Sequence, residues 1–252
     1  MIRVPVKTAE EIPLMRESSR IVAEVLVLVG GAVRPGVTTI ELDRMAEEYI
    51  RAQGGVPAFK GYGRGNRFPA TLCVSIDDEV VHGIPGPRRL EEGQVVSVDV
   101  GVKKKGYFGD AARTFAVGRV SEEKLRLLGV TEQSLRRAIA HVRPGNHLHD
   151  VSAAVQEHVE ANGFSVVRDL VGHGIGRSLH EEPSIPNFGV AGTGPLLKEG
   201  MVLAIEPMVN AGGYEVQLDQ DGWTVRTRDG KPSAHFEHTV LVTQNDAEIL
   251  TR

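Results

Sequence analysis

Segments of this chain recur in the same order roughly 107–109 residues apart, and that recurrence limits the folds open to it. VRPGVTTIEL begins at Val33 and VRPGNHLHDV at Val142, an offset of 109; at the same offset Ala52-Gln53-Gly54 is answered by Ala161-Asn162-Gly163. LEEGQVVSVD begins at Leu90 and LKEGMVLAIE at Leu197, an offset of 107 that sets Asp99 opposite Glu206. Solenoids and propellers repeat every ~20–50 residues and need several copies. Two long copies instead predict two like halves, about 11–118 and 121–250, packed about a pseudo-two-fold axis within one domain spanning 1–252.

Each half reads as a helix pair followed by strands. Leu14, Ile21, Val22, Val25, Leu28 and Val29 recur at helical spacing over 11–29. After the Arg34-Pro35-Gly36 turn, Thr38 and Glu41 form a capping box for a second helix with a Leu42, Met45, Ala46, Tyr49, Ile50 stripe, ended by Gly54-Gly55. The second half predicts a helix from Ser121 to about His141, a turn at Pro144-Gly145 and a helix to about Glu160. Strand-like runs cover 71–76, 94–100, 108–117, 201–206, 223–227 and 237–242. The fold class is α+β, an antiparallel sheet covered by two helix pairs.

Composition excludes several functions. Lys+Arg 29 against Asp+Glu 33 gives a net charge of -4 and no broad basic face for DNA. Lys103-Lys104-Lys105 reads as a polar turn; three charges are a weak footprint for RNA. The apolar run 25–33 is far short of the ~20 residues of a membrane span, and no signal-peptide pattern opens the chain. The one cysteine, Cys73, permits no intrachain disulfide and suits a reducing compartment. A cytoplasmic, soluble protein follows; that it is a monomer is an expectation that composition does not supply.

A few acids stand out because they sit on apolar segments. If the hairpin 95–110 turns at Lys104-Lys105, Asp99 and Asp110 face each other, and like charges opposed across strands are destabilising unless a cation lies between them or one is protonated. Glu206 ends the apolar run 201–206 before Pro207, Glu237 lies in the run 237–242, and Gly172-His173-Gly174 exposes an imidazole between glycines. Each alone is weak. Together, four carboxylates and one imidazole suit two divalent ions of the Mn, Fe, Co or Zn class better than a structural zinc site.

The stretches HGIPG (82–86), GHGIGRSLHEEP (172–183), IEP (205–207) and DGWTVRTRDGKPSAHFEHTVLV (221–242), with the Asp99…Asp110 pair, resemble the bacterial type I methionine aminopeptidases over about residues 11–250. The resemblance implies the pita-bread fold and removal of the initiator methionine from nascent polypeptides with a small second residue. It implies two metal ions held by Asp99, Asp110, His173, Glu206 and Glu237, with Asp110 and Glu237 bridging, Asp99 on one ion, His173 and Glu206 on the other. Such a pair activates a water for attack on the first peptide bond. Glu206 then carries the proton to the leaving amine, His180 stabilises the oxyanion, and His82 contacts the scissile amide nitrogen or the next residue's backbone. The methionine pocket maps to Tyr62, Phe68, Cys73 and Trp223.

Three departures accompany the resemblance. The 61–69 loop is longer than its usual counterpart, Leu179 stands where many relatives have Phe, and Asp77 where many have Asn near a monovalent-cation loop. Xaa-Pro peptidases of the same fold carry an extra N-terminal domain, for which the first helix at about residue 11 leaves no room; the type II methionine enzymes carry an insertion absent here. A non-catalytic module would be expected to lose ligands. His141, His147, His149 and His158 read as solvated. Docking on the ribosome is left open.

Overall fold

The computed structural model describes residues 4–252. Its first half runs α1 (Ile12–Ala32), α2 (Thr39–Ala52), β1 (Val56–Pro57), β2 (Leu72–Ile76), β3 (Glu79–Val81), β4 (Val95–Lys104) and β5 (Tyr107–Ala116). Next come α3 (Glu122–Ala140), α4 (Leu148–Ala161), β6 (Ser165–Val166), β7 (Gly172–Gly174), β8 (Glu181–Ile185) and β9 (Val202–Ile205). The chain ends with β10 (Met208–Asn210), β11 (Val216–Leu218), β12 (Val225–Thr227), β13 (Ser233–His235), β14 (His238–Val242) and β15 (Ala247–Ile249). The predicted helices lie within a few residues of the observed ones. The Thr38–Glu41 capping box forms, with Glu41 Oε2 accepting from Thr38 N at 2.7 Å and Thr38 Oγ1 accepting from Glu41 N at 3.3 Å.

All strand pairs are antiparallel. One sheet has the order β1-β4-β2 with β5 also on β4; the others run β15-β14-β9-β7-β8, β11-β12-β3 and β13-β10-β6. Helices α1 and α2 bury Ile21, Val22, Val25, Leu42 and Ile50 against Leu72, Val74, Val96, Val98 and Val100. Helices α3 and α4 bury Leu127, Leu135, Val151, Val155 and Val159 against Leu203, Ile205, Val209 and Val240. Each such side chain contributes roughly 1.5–3 kcal/mol by leaving water. Among the described residues no helix is long and apolar enough to cross a membrane.

The hairpin β4–β5 differs from expectation in register. Its turn is Lys105-Gly106, both left-handed (φ 51 and 88), so Lys104 pairs with Tyr107 and Asp99 with Ala112, while Asp110 pairs with Gly101. Two positive-φ residues make the turn whose twist matches a tight hairpin, and Gly106 supplies one of them. The observed turn is thus centred one residue later than the expected Lys104-Lys105. Asp99 and Asp110 are therefore diagonal neighbours rather than directly opposed. A shift of two residues in pairing keeps both on one face, since sheet faces alternate with period two. Gly109 lets α1 lie hard on this hairpin: a Cβ there would stand 2.8 Å from the Ser19 backbone.

A seam of hydrogen bonds joins β5 to the second half. Asp110 N donates to Thr239 Oγ1 at 3.0 Å, and that hydroxyl donates to Asp110 O at 2.7 Å. Glu237 N donates to Ala112 O at 2.9 Å, and Thr114 Oγ1 donates to His235 O at 2.8 Å. The backbone around Asp110 is thus fixed to the backbone around Glu237.

Candidate metal centre and peptide cavity

One cavity of about 170 Å³ is lined by every residue given a ligand, catalytic or substrate role from sequence: Tyr62, Phe68, Cys73, His82, Asp99, Asp110, His173, His180, Glu206, Trp223 and Glu237. Asp99 and Asp110 come from β4 and β5, His173 from β7, and Glu206 lies just past β9. Glu237 falls in the break between β13 and β14 rather than within a strand, a correction to the predicted run 237–242. Ligand atoms of Asp110, His173 and Glu237 all lie within 4.8 Å of one another. His173 Nε2 stands 3.6 Å from Glu206 Oε1 and 4.0 Å from Asp110 Oδ2.

His173 is buried, not exposed in a turn as its glycine neighbours suggested. It lies on the three-residue β7 between β8 and β9. The glycines serve those neighbours: a Cβ on Gly172 would stand 2.4 Å from Ala204 O, and one on Gly174 2.1 Å from Glu182 O. His173 Nδ1 bonds Gly174 O at 2.9 Å, which turns Nε2 toward the carboxylates.

Electrostatically the cluster is unfinished by protein alone. Among the described residues no Lys or Arg pairs with any of the four acids; the basic groups beside them are the imidazoles of His173 and His235, which burial keeps neutral. Burial pushes the Asp99 carboxyl up to about 7 and raises Asp110, Glu206 and Glu237 well above the usual carboxylate range, with mutual repulsion adding for the last three. Burial holds His173 down to about 3, so its ring is neutral and can ligate. Asp99 Oδ1, Asp110 Oδ1 and Glu237 Oε1 are buried with no hydrogen-bond partner. An unpaired buried carboxylate is costly unless a cation or proton completes it. An oxygen-rich set with one neutral imidazole and three orphan oxygens fits divalent metal ions.

The walls around this cluster are apolar. Phe68, near the end of the longer 61–69 loop, packs edge-on against Trp223 with ring centroids 5.3 Å apart. Cys73 is the β-sheet partner of Asp99, and burial raises its thiol well above the ordinary range. Leu179 is buried against the same cavity. His82 follows β3 with φ 60, a strained conformation for a residue with a Cβ, and burial holds its imidazole down to about 4. The Tyr62 hydroxyl bonds His180 Nδ1, and the His180 ring meets the His173 ring edge-on at 4.3 Å.

Several residues were missed. Phe59, Val81, Leu170, Val171 and Met208 also line the cavity. They are ordinary apolar residues with no sequence mark. His235 Nε2 lies 3.7 Å from Glu206 Oε2, fully buried and without a bond. Its signal was present: it stands two residues before Glu237 in the same stretch. Three histidines read as solvated are half-buried instead. His147 and His149 bond the 193–194 loop through their Nδ1 atoms, and His158 Nε2 is buried without a partner. Asp77 accepts from Lys124 Nζ at 2.6 Å.

A sequence model of metallopeptidase family M24 matches residues 13–244. The chain belongs to that family, and a buried carboxylate–imidazole cluster is what a metallopeptidase requires. Within it, the similarity runs to the methionine aminopeptidases. That of Clostridium perfringens is 54% identical over 246 residues, 97% of each chain. The crystal structure of methionine aminopeptidase from Thermotoga maritima superposes with a TM-score of 0.97 at 47% identity, over 99% of this chain and 100% of that one. Prolidase from Pyrococcus furiosus, at 24% identity, shares the fold with a TM-score of 0.79 over 98% of this chain and 65% of that one. The architecture is the pita-bread fold expected from the sequence.

Proposed function

We propose that this protein removes the N-terminal methionine from polypeptides whose second residue is small. The observation that carries the reading is the union, in one cavity of about 170 Å³, of an unpaired acidic cluster with an apolar wall of Phe59, Phe68, Cys73, Leu179 and Trp223. That volume is below the ~300–1,000 Å³ of pockets for drug-sized ligands, and suits one side chain and the groups that react beside it. Aromatic rings and a sulfur are good neighbours for a flexible thioether.

Asp99, Asp110, His173, Glu206 and Glu237 hold two divalent ions of the Mn, Fe, Co or Zn class in this reading. When bound, such ions polarise the scissile carbonyl and lower the pKa of the attacking water. A Glu206 carboxylate oxygen takes the proton from that water and passes it to the leaving amine. His180 donates to the carbonyl oxygen as negative charge develops there. His82, which lines the cavity beside Trp223, meets the scissile amide or the following backbone; the His82 and Trp223 ring centroids are 6.4 Å apart. The related halves act as one metallopeptidase domain, working as a monomer in the cytoplasm on nascent chains, with surface docking on the ribosome compatible with that role.

The test is product analysis by mass spectrometry on Met-Gly-, Met-Leu- and Xaa-Pro-headed peptides with the metal-loaded protein. Release of methionine from the Met-Gly peptide alone is expected. Cleavage confined to bonds before proline would overturn the reading. Glu206→Gln should nearly abolish turnover; wild-type turnover at saturating metal would remove Glu206 from proton transfer.

A further inference from the structure

The Tyr62–His180 contact does more than close the pocket wall. Tyr62 belongs to the 61–69 loop of the first half, His180 to the turn before β8 in the second, and their side chains meet at 2.5 Å between the Tyr62 hydroxyl and His180 Nδ1. The rings are edge-on, 5.2 Å between centroids at 69°. Among the described residues this is the one hydrogen bond that the His180 ring makes, so Nε2 has no protein partner. The ring is held on its other side by His173 at 4.3 Å.

A neutral imidazole carries a single N–H, on either nitrogen. The contact can be made two ways: the phenol donates to a bare Nδ1, or Nδ1–H donates to the phenol oxygen. The phenol O–H is more acidic than a neutral imidazole N–H, and an imidazole lone pair is the better acceptor, so the first arrangement wins. With Nδ1 accepting, the ring proton is confined to Nε2. In the other tautomer Nε2 would present a lone pair to the substrate's carbonyl oxygen, and repel it.

We infer that Tyr62 is a positioning residue that donates to His180 Nδ1 and thereby fixes the tautomer in which Nε2–H faces the reacting carbonyl. The inference rests on the role given to His180 above. Tyr62 thus acts through His180, as the partner on one imidazole nitrogen sets the proton on the other. Tyr62→Phe keeps the aromatic wall and removes only the hydroxyl, whose exposed position (Tyr62 is 41% accessible) leaves the fold unburdened by the change.

The experiment is long-range proton–nitrogen NMR on metal-free, ¹⁵N-histidine-labelled protein, with the His180 ring assigned by the signals lost in His180→Gln. The wild type should show Nε2 protonated and Nδ1 as acceptor, and Tyr62→Phe should shift His180 toward the other tautomer. In the same variant kcat on a Met-Gly peptide should fall about tenfold, in line with one hydrogen bond, with KM changed less than about twofold. A protonated Nδ1 in the wild type, or the same tautomer in Tyr62→Phe as in wild type, would overturn the inference even if kcat falls. A tautomer that shifts as expected while kcat stays constant would uphold Tyr62's control of the ring and overturn instead the oxyanion role of His180.

Discussion

Replacing Glu237 by glutamine removes one charge from a cluster in which ligand atoms of Asp110, His173 and Glu237 all lie within 4.8 Å of one another. Two carboxylate charges at that separation repel by about 3–4 kcal/mol at an effective dielectric constant near 20. Burial already favours protonation of these acids, which relieves part of that repulsion. The metal-free variant should therefore gain about 2 kcal/mol at pH 8.5, roughly 4–8 °C in Tm for a chain of this size. The glutamine also brings an N–H to the place of Glu237 Oε1, which has no partner in the wild type. With metal the order reverses. A divalent ion at 100 times its Kd stabilises the wild type by about 2.7 kcal/mol, whereas a 100-fold weaker site at the same concentration gives only about 0.4 kcal/mol. Thermal melts of both proteins, in EDTA and across a Mn²⁺ or Co²⁺ titration, read both halves of the argument. A metal-free Glu237→Gln that melts below the metal-free wild type would refute the claim that the cluster is frustrated without an ion. An equal metal-induced rise in both proteins would refute the placing of Glu237 among the ligands.

Gly174→Ala sets a Cβ 2.1 Å from Glu182 O and must push β7 away from β8; overpacking of this kind costs about 1–3 kcal/mol, and a shift of about 1 Å at His173 is expected to lower kcat/KM ~10²-fold, read by melts and by peptide kinetics. Lys7→Met breaks an ion pair with Glu181 at 2.6 Å whose side chains are 4% and 13% exposed. Stranding Glu181 should cost ~3 kcal/mol, about 6–12 °C in Tm, while Lys7→Met with Glu181→Leu recovers most of it; a double variant no more stable than Lys7→Met would count against that account. Arg226 bonds Asp78, Glu79 and Asp219 and ties β12 to the strand that leads into His82. Arg226→Gln should red-shift the emission of Trp223, the chain's single tryptophan, and raise its acrylamide quenching; unchanged fluorescence would show that the network does not hold the rim.

The candidate metal-binding set was legible because its members are chemically out of place. Asp99 interrupts the mostly apolar stretch 95–102 and Glu206 closes the run 201–205, and acids on such apolar segments are conspicuous however the strands are paired. The Asp99–Asp110 juxtaposition survived a wrong register because the error was two residues in pairing, which leaves the face unchanged. The register itself was not legible: three successive lysines mark a polar turn without fixing its centre, and the left-handed Lys105 is not a residue that announces positive φ. His173 misled for a related reason. A strand of three residues is too short for a periodic pattern, and its glycines answer to Ala204 O and Glu182 O, groups distant in sequence.

Shape was hidden where donors were not. Phe59, Leu170, Val171 and Met208 become cavity walls only through tertiary packing, and nothing in an apolar residue's type separates wall from core. The same holds for the seam that makes one site from two halves. Thr239 accepts from Asp110 N and donates to Asp110 O, and Ala112 O accepts from Glu237 N; a threonine and an alanine backbone carry no chemical mark in a sequence. Their effect is to fix an acid of β5 against an acid of the second half before any ion arrives. The repulsion that results is borne by the fold, through buried bonds made by backbone groups and the short hydroxyls of Thr114 and Thr239 rather than by long flexible side chains. It also changes the meaning of the net charge of -4. Four of the acids are withdrawn into one cavity, so the excess negative charge is concentrated at the proposed metal site, and by count the remaining chain is balanced.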